Sequence, residues 1–164
     1  MHVAPIAVRP QRVFALVLDE GEELSATLDA FARHTGLDAA SFTGIGAIER
    51  GTLGFFDPVA RDYTPIRVER QSEVVSLLGD ITRSADVTVE RTVHGHMVVA
   101  DALGKTTGGH LLEAYVRPTL ELIVTETPTN LQRTYDPDRG LALIDLQRSA
   151  TVGRAFTLRA DADV

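Results

Sequence analysis

The sequence predicts an α+β fold in one domain: a mixed, mainly antiparallel β-sheet with one principal α-helix. Six or more apolar runs of strand length stand against a single stretch with helical spacing, which is the signature of a sheet carrying one helix. The 164 residues hold no internal repeat and no low-complexity segment. A chain of that length buries about 70% of its unfolded surface around a single core.

Val13 to Leu18, VFALVL, is the first apolar run, and Asp19 to Gly21 ends it. From Glu22 the period changes. Leu24, Leu28, Phe31 and Ala32 recur at i, i+4, i+7 and i+8, one apolar stripe on a helix of about four turns. Glu20, Glu22 and Glu23 gather at its positive end, Arg33 and His34 at its negative end, and Gly36 supplies the stop. His34 is thereby a helix-end residue rather than a ligand. Ala40 to Ile48 and Gly51 to Phe56 predict two strands separated by Glu49-Arg50. Gly44 and Gly46 do not make a dinucleotide fingerprint, because position 49 is Glu where Gly is required and no helix-opening signal follows. Asp57 to Pro65 predicts a loop rich in breakers.

Arg67 to Ile81 predicts a strand whose apolar centre, Val74 to Leu78, stops at Gly79. Asp86 to Ala100 predicts a long strand with Val87, Val89, Arg91, Val93, Met97 and Val99 on one parity. After an arm around His110, Pro118 breaks the chain, and Leu120 to Val124 predicts a nearly all-apolar central strand. Thr127 to Gly140 predicts loop, Leu141 to Leu146 a strand or short helix, and Ala155 to Leu158 an edge strand.

The chain is organised around Val93 to Leu112, which contains three of the five histidines. His94 and His96, two apart, point to one face of a strand. A turn centred on Leu103 sets His96 directly against His110, and His94 lies on the diagonal, within imidazole reach. The odd parity is apolar, so the histidines look away from the main core. Spacing alone leaves two readings open, a metal site and a solvent-facing polar cluster. Neutral imidazole suits Zn²⁺, Cu²⁺ or Ni²⁺, and three such ligands leave a fourth position for a small molecule. Gly108-Gly109 leaves room beside His110 for its ring or for neighbouring backbone, or else marks a bulge.

Composition excludes several classes. With no cysteine there is no disulfide and no thiolate metal site. A net charge of −7 opposes attraction to nucleic-acid phosphates. There is no apolar run long enough for a membrane helix, and the first residues lack the regions of a signal peptide, so the expected location is cytoplasmic.

The local words GEELSATLDAFARHTGLDAASFTGIGAIERGTLGFFD, SEVVSLLGDI, HGHMVVADALGKTTGGHL and LELIV, in that order, resemble the plant and prokaryote conserved domain, also called PPC or DUF296, in its prokaryotic stand-alone form. The resemblance runs from about Val13 to Glu126, with 127–164 as a C-terminal extension. It implies a PPC-like fold, a homotrimer, and a divalent metal, often zinc, held by His94, His96 and His110. Two departures separate the chain from plant members, in which the domain accompanies DNA-binding AT-hooks. No Arg-Gly-Arg-Pro word is present, and the plant Gly-Arg-Phe-Glu word is here Arg70-Gln71-Ser72-Glu73.

Two further functions compete with simple metal binding. A metal-dependent hydrolase would use the open position and needs a placed base; Glu73, Glu113 and Asp101 are the available carboxylates, and no other nucleophile motif is present. A DNA-associated regulator without an AT-hook rests on family analogy alone.

Overall fold

The computed structural model describes residues 2–3, 11–85, 90–127, 130–149 and 156–157. In chain order these form β1 (His2–Val3), β2 (Val13–Leu18), α1 (Leu24–Thr35), β3 (Ala40–Asp57), β4 (Asp62–Val68), β5 (Ser72–Ser84), β6 (Arg91–Ala100), β7 (Thr106–Glu126), β8 (Gln132–Asp136), β9 (Leu141–Ile144) and β10 (Phe156–Thr157). The outcome is a mixed sheet with one helix. No helix among the described residues is long and apolar enough to cross a membrane.

The main sheet runs β4-β3-β7-β6-β5-β8-β9, with β2 also on β7. β3 bonds to both β7 and β5, and β6 bonds to both β5 and β7, so these four strands close on themselves. Among the described residues every pairing is antiparallel except β5 with β8. The core is lined by Phe42, Ile48, Leu53, Leu77, Ile81, Met97, Val116, Leu120 and Leu122, all at most 2% exposed.

The helix follows its sequence signals. Leu24, Leu28 and Ala32 are fully buried, and Phe31 meets Phe14 edge to face at 5.2 Å. Glu23 caps the start, its carboxylate accepting from Ala26 N at 2.7 Å and from Ala114 N at 3.2 Å, which ties the helix to β7. Gly36 ends it in the left-handed region at φ 65°.

Four boundaries differ from expectation, each for a physical reason. Ala40 to Asp57 is one strand rather than two, because β3 absorbs the polar Glu49-Arg50 through register shifts against β7. Pro118 does not end β7. Gly46 faces Leu120 and Ile48 faces Val116, so residues 117–119 bulge outward where a missing N–H costs no ladder bond. Pro65 likewise sits in a strand, β4, which is an edge and tolerates proline. Within the expected loop Thr127 to Gly140, β8 forms by pairing with β5 and β9, contacts that no local signal announces. β6 starts at Arg91, and residues 86–89, assigned to it from sequence, lie outside the described residues, as do Ala155 and Leu158 beside β10.

Candidate metal centre

The β6–β7 hairpin carries the histidines in the expected register. His96 faces His110, and the pairs Met97 with Gly109 and Val98 with Gly108 follow. The turn is held by Asp101, whose Oδ1 accepts from the backbone N–H groups of Leu103 and Lys105, both at 2.9 Å. The parity argument holds as well. Met97 and Val99 are buried, while His96 is exposed and His94 and His110 are half-buried.

The three rings converge. Their centroids stand 5.4 Å (His94–His96), 5.1 Å (His94–His110) and 5.2 Å (His96–His110) apart, and one nitrogen from each lies within 4.8 Å of the others. Tetrahedral zinc–imidazole bonds bring ligand nitrogens to about 3.4 Å from one another, inside the 4.8 Å that encloses these three. His110 Nδ1 is buried without any hydrogen-bond partner, so the fold itself leaves a ligand-type nitrogen unsatisfied. The donor set therefore fits a borderline cation such as zinc.

Electrostatics act on two of the three rings. Burial, reinforced by His94, His96 and Arg133, pushes the His110 imidazole down to about 4. Burial and then His94 lower His96 as well. Both rings are thus neutral at pH 7, the state in which imidazole binds a metal.

Two groups that sequence reasoning did not single out complete the surroundings. Asp80 on β5 is the register partner of His94, and its Oδ2 lies 3.2 Å from His94 Nδ1. Arg133 on β8 donates through Nη2 to Asp80 Oδ1 and Oδ2 at 3.0 and 2.9 Å. Burial would raise Asp80, but the bond with His94 and the charge and bonds of Arg133 outweigh it and hold the carboxyl below its usual range. The signal for Asp80 was its position two residues beyond Leu78 on the histidine-facing parity. Using it requires the β5–β6 register, which spacing does not supply.

On the other side Tyr63 stacks on His110, with centroids 4.4 Å apart and planes 20° from parallel. Gly54, beside His110 in the β3–β7 register, makes that stack possible, because a Cβ there would stand 2.7 Å from Tyr63 Cδ1. The carboxylates considered from sequence lie elsewhere. Glu73 pairs with Ala100 at the far end of β6, Asp101 serves the turn, and Glu113 accepts from Thr52 Oγ1 at 3.0 Å. His34 is a helix-end residue, as its position predicted.

Residues 6–128 match the family model of the Plants and Prokaryotes Conserved (PCC) domain. The chain is 28% identical over 160 residues to the bifunctional protein GlmU of Synechococcus sp. (strain JA-3-3Ab), which is 96% of this chain and 24% of that protein. It thus spans a quarter or less of the length of the curated relatives it matches. Its fold is similar to that of the metal-containing protein AF0104 from Archaeoglobus fulgidus, at TM-score 0.78 and 27% identity, covering 88% of this chain and 99% of that one. It is also similar to a Ralstonia eutropha JMP134 protein described as a candidate DNA-binding protein, at TM-score 0.74 and 30% identity, covering 80% and 90%.

Proposed function

The chain belongs to the Plants and Prokaryotes Conserved domain family, and from that premise we propose that it is a homotrimeric protein binding a divalent metal, zinc first, through His94, His96 and His110. The convergence of three imidazoles within 4.8 Å, one of them with an orphaned buried nitrogen, is the observation that carries the reading. The metal-containing Archaeoglobus neighbour supports it. A bound metal would supply a Lewis-acidic open position for a small ligand. The protein's own contribution is to hold the three rings, keep His96 and His110 neutral and screen one side with Tyr63.

A second copy is supported by an exposed apolar face. Val17 on β2, Ile123 on β7, Ile45 on β3 and Val75 and Leu78 on β5 are each at least half exposed and line one shallow depression. Leu78 is the register partner of His96, so this face runs up to the histidines. Contiguous exposed apolar patches rimmed by polar groups mark interaction surfaces.

The Ralstonia neighbour and one from Bacteroides thetaiotaomicron are both described as candidate DNA-binding proteins, which favours a DNA-associated role. The net charge of −7 weighs against it, since phosphate binding rests on cationic side chains displacing counterions. Among the described residues, Glu73, Asp101 and Glu113 make their contacts elsewhere and Asp80, beside the rings, is engaged by Arg133, which weighs against a hydrolytic role.

Untagged protein should carry close to one divalent metal per chain by elemental analysis and lose it in the double variant His94→Ala, His110→Ala. Unchanged metal content in that variant would sink the proposal. Light scattering should return three times the chain mass, and a gel shift at ~0.15 M salt should show no DNA retardation.

A further inference from the structure

We propose that Asp80 and Arg133 are positioning residues for the metal. Asp80 takes the Nδ1–H of His94, leaving Nε2 as the nitrogen available to a metal, and Arg133 clamps Asp80 in that pose. The inference rests on the metal-binding reading above and states which groups of this chain aim one of its ligands.

Three atoms form a tight triangle. His94 Nδ1 is 3.2 Å from Asp80 Oδ2 and 3.1 Å from Arg133 Nη2, and that Nη2 is 2.9 Å from the same Oδ2. Two proton arrangements are conceivable. In one, the guanidinium donates to a bare Nδ1, and the ring proton sits on Nε2. The Nδ1 lone pair then faces a carboxylate oxygen across 3.2 Å with nothing between them. In the other, Nδ1–H donates to the carboxylate, and the contact becomes a charge-assisted hydrogen bond while Arg133 keeps both of its bonds to Asp80. The second arrangement gives up the Arg133–His94 bond and leaves two donors 3.1 Å apart, but it replaces a lone-pair repulsion with a bond to a charged acceptor, and that exchange favours it. A neutral imidazole carries one N–H, and fixing it on Nδ1 frees Nε2.

Arg133 is built for this contact rather than for stability alone. Its side chain is 9% exposed, Nη1 donates to Ala142 O at 2.9 Å, and Nε is buried without a partner. Burying a guanidinium with one N–H unmet is costly. What the fold obtains is a fork aimed at Asp80. Arg133 reaches it because β8 pairs with β5 at Ser84, and it lies beyond the 6–128 family match. The C-terminal extension therefore takes part in the site.

Two measurements test this on the 164-residue chain. ¹⁵N NMR of the metal-free protein, with His94 assigned through His94→Gln, should show the Nδ1–H tautomer, shifting toward Nε2–H in Asp80→Asn. A proton on Nε2 of His94 in the wild type overturns the inference, whatever the metal does. Co²⁺ titration followed by visible absorption should then show Asp80→Asn and Arg133→Met each weakening binding roughly 10–100-fold, with partial rescue by Arg133→Lys. Arg133→Met should add nothing in the Asp80→Asn background, because it acts through Asp80. Equal Co²⁺ affinity in wild type and both single variants overturns this inference and leaves the metal reading standing. A wild type that takes up no Co²⁺ defeats both. Should a variant fail to fold, the wild-type tautomer still decides.

Discussion

The two flanks of the histidine patch are built on different terms. On the β6–β7 flank, His94, His96 and His110 meet through a single hairpin, whose register is fixed by one turn. On the β5–β8 flank, Asp80 and Arg133 are 53 positions apart and meet only because two distant segments pair. Gathering the rings is a local act here, and orienting them is a global one. A hairpin alone could bring the rings together, but only the assembled sheet brings the carboxylate and guanidinium that hold His94.

The largest break in this arrangement is expected at Gly79, where the two flanks touch. A Cβ there would lie 2.2 Å from Phe42 Cζ and 2.4 Å from His94 O, a core ring on one side and the backbone of a candidate ligand on the other. Neither can yield cheaply. Gly79→Ala should cost about 3 kcal/mol, the upper end for an overpacked core, and should loosen His94 together with Asp80, its register neighbours. Urea unfolding measures the first effect and the His94 ring resonances the second. A variant as stable as wild type would show that β5 and β6 slide past each other, and the two flanks would not be rigidly joined.

Next in size is Arg133→Met, which leaves the half-buried Asp80 carboxylate with His94 as its one side-chain partner among the described residues. Losing one side of a buried charge pair costs 3–5 kcal/mol, but Asp80 keeps 26% of its side chain in water, so about 2 kcal/mol is expected. Urea unfolding at pH 7 of Arg133→Met, Asp80→Asn and the double variant checks it. The double variant should recover part of the loss, since it removes the stranded charge along with the clamp. Strict additivity would mean that the pair is not coupled.

The same division explains what could be read from the chain alone. The histidine register was visible because it depends on strand parity and one short turn, with Asp101 and Gly104 at the positions that close it. The helix was visible for the same reason, its stripe and its Gly36 stop both lying within a few residues. Arg133 was hidden because its strand, in a segment that reads as loop between Thr127 and Gly140, exists only through partners on β5 and β9. The continuity of β3 and β7 was hidden by Glu49-Arg50 and Pro118, which look like breaks until the bulges that absorb them are seen. Asp80 falls between these cases: its parity was readable, but its neighbour was not.

The smallest effect is expected from the Tyr63 side, and it discriminates most finely between the flanks. Tyr63 lies over His110 in a stack that Gly54 makes room for, and Phe56 meets it edge on at 5.4 Å. Tyr63 makes no hydrogen bond to a histidine among those seen at the site, so its influence is packing and shielding from water. Tyr63→Leu should therefore cost about 0.5–1 kcal/mol, the scale of one aromatic pair, and raise the ionisation of His110 by readmitting water. Co²⁺ affinity should fall less than in Arg133→Met, and the His94 tautomer should not move. If Tyr63→Leu does change the proton position on His94, the three rings respond as one unit, and orientation of the ligands is shared across the patch instead of being set from the β5–β8 flank.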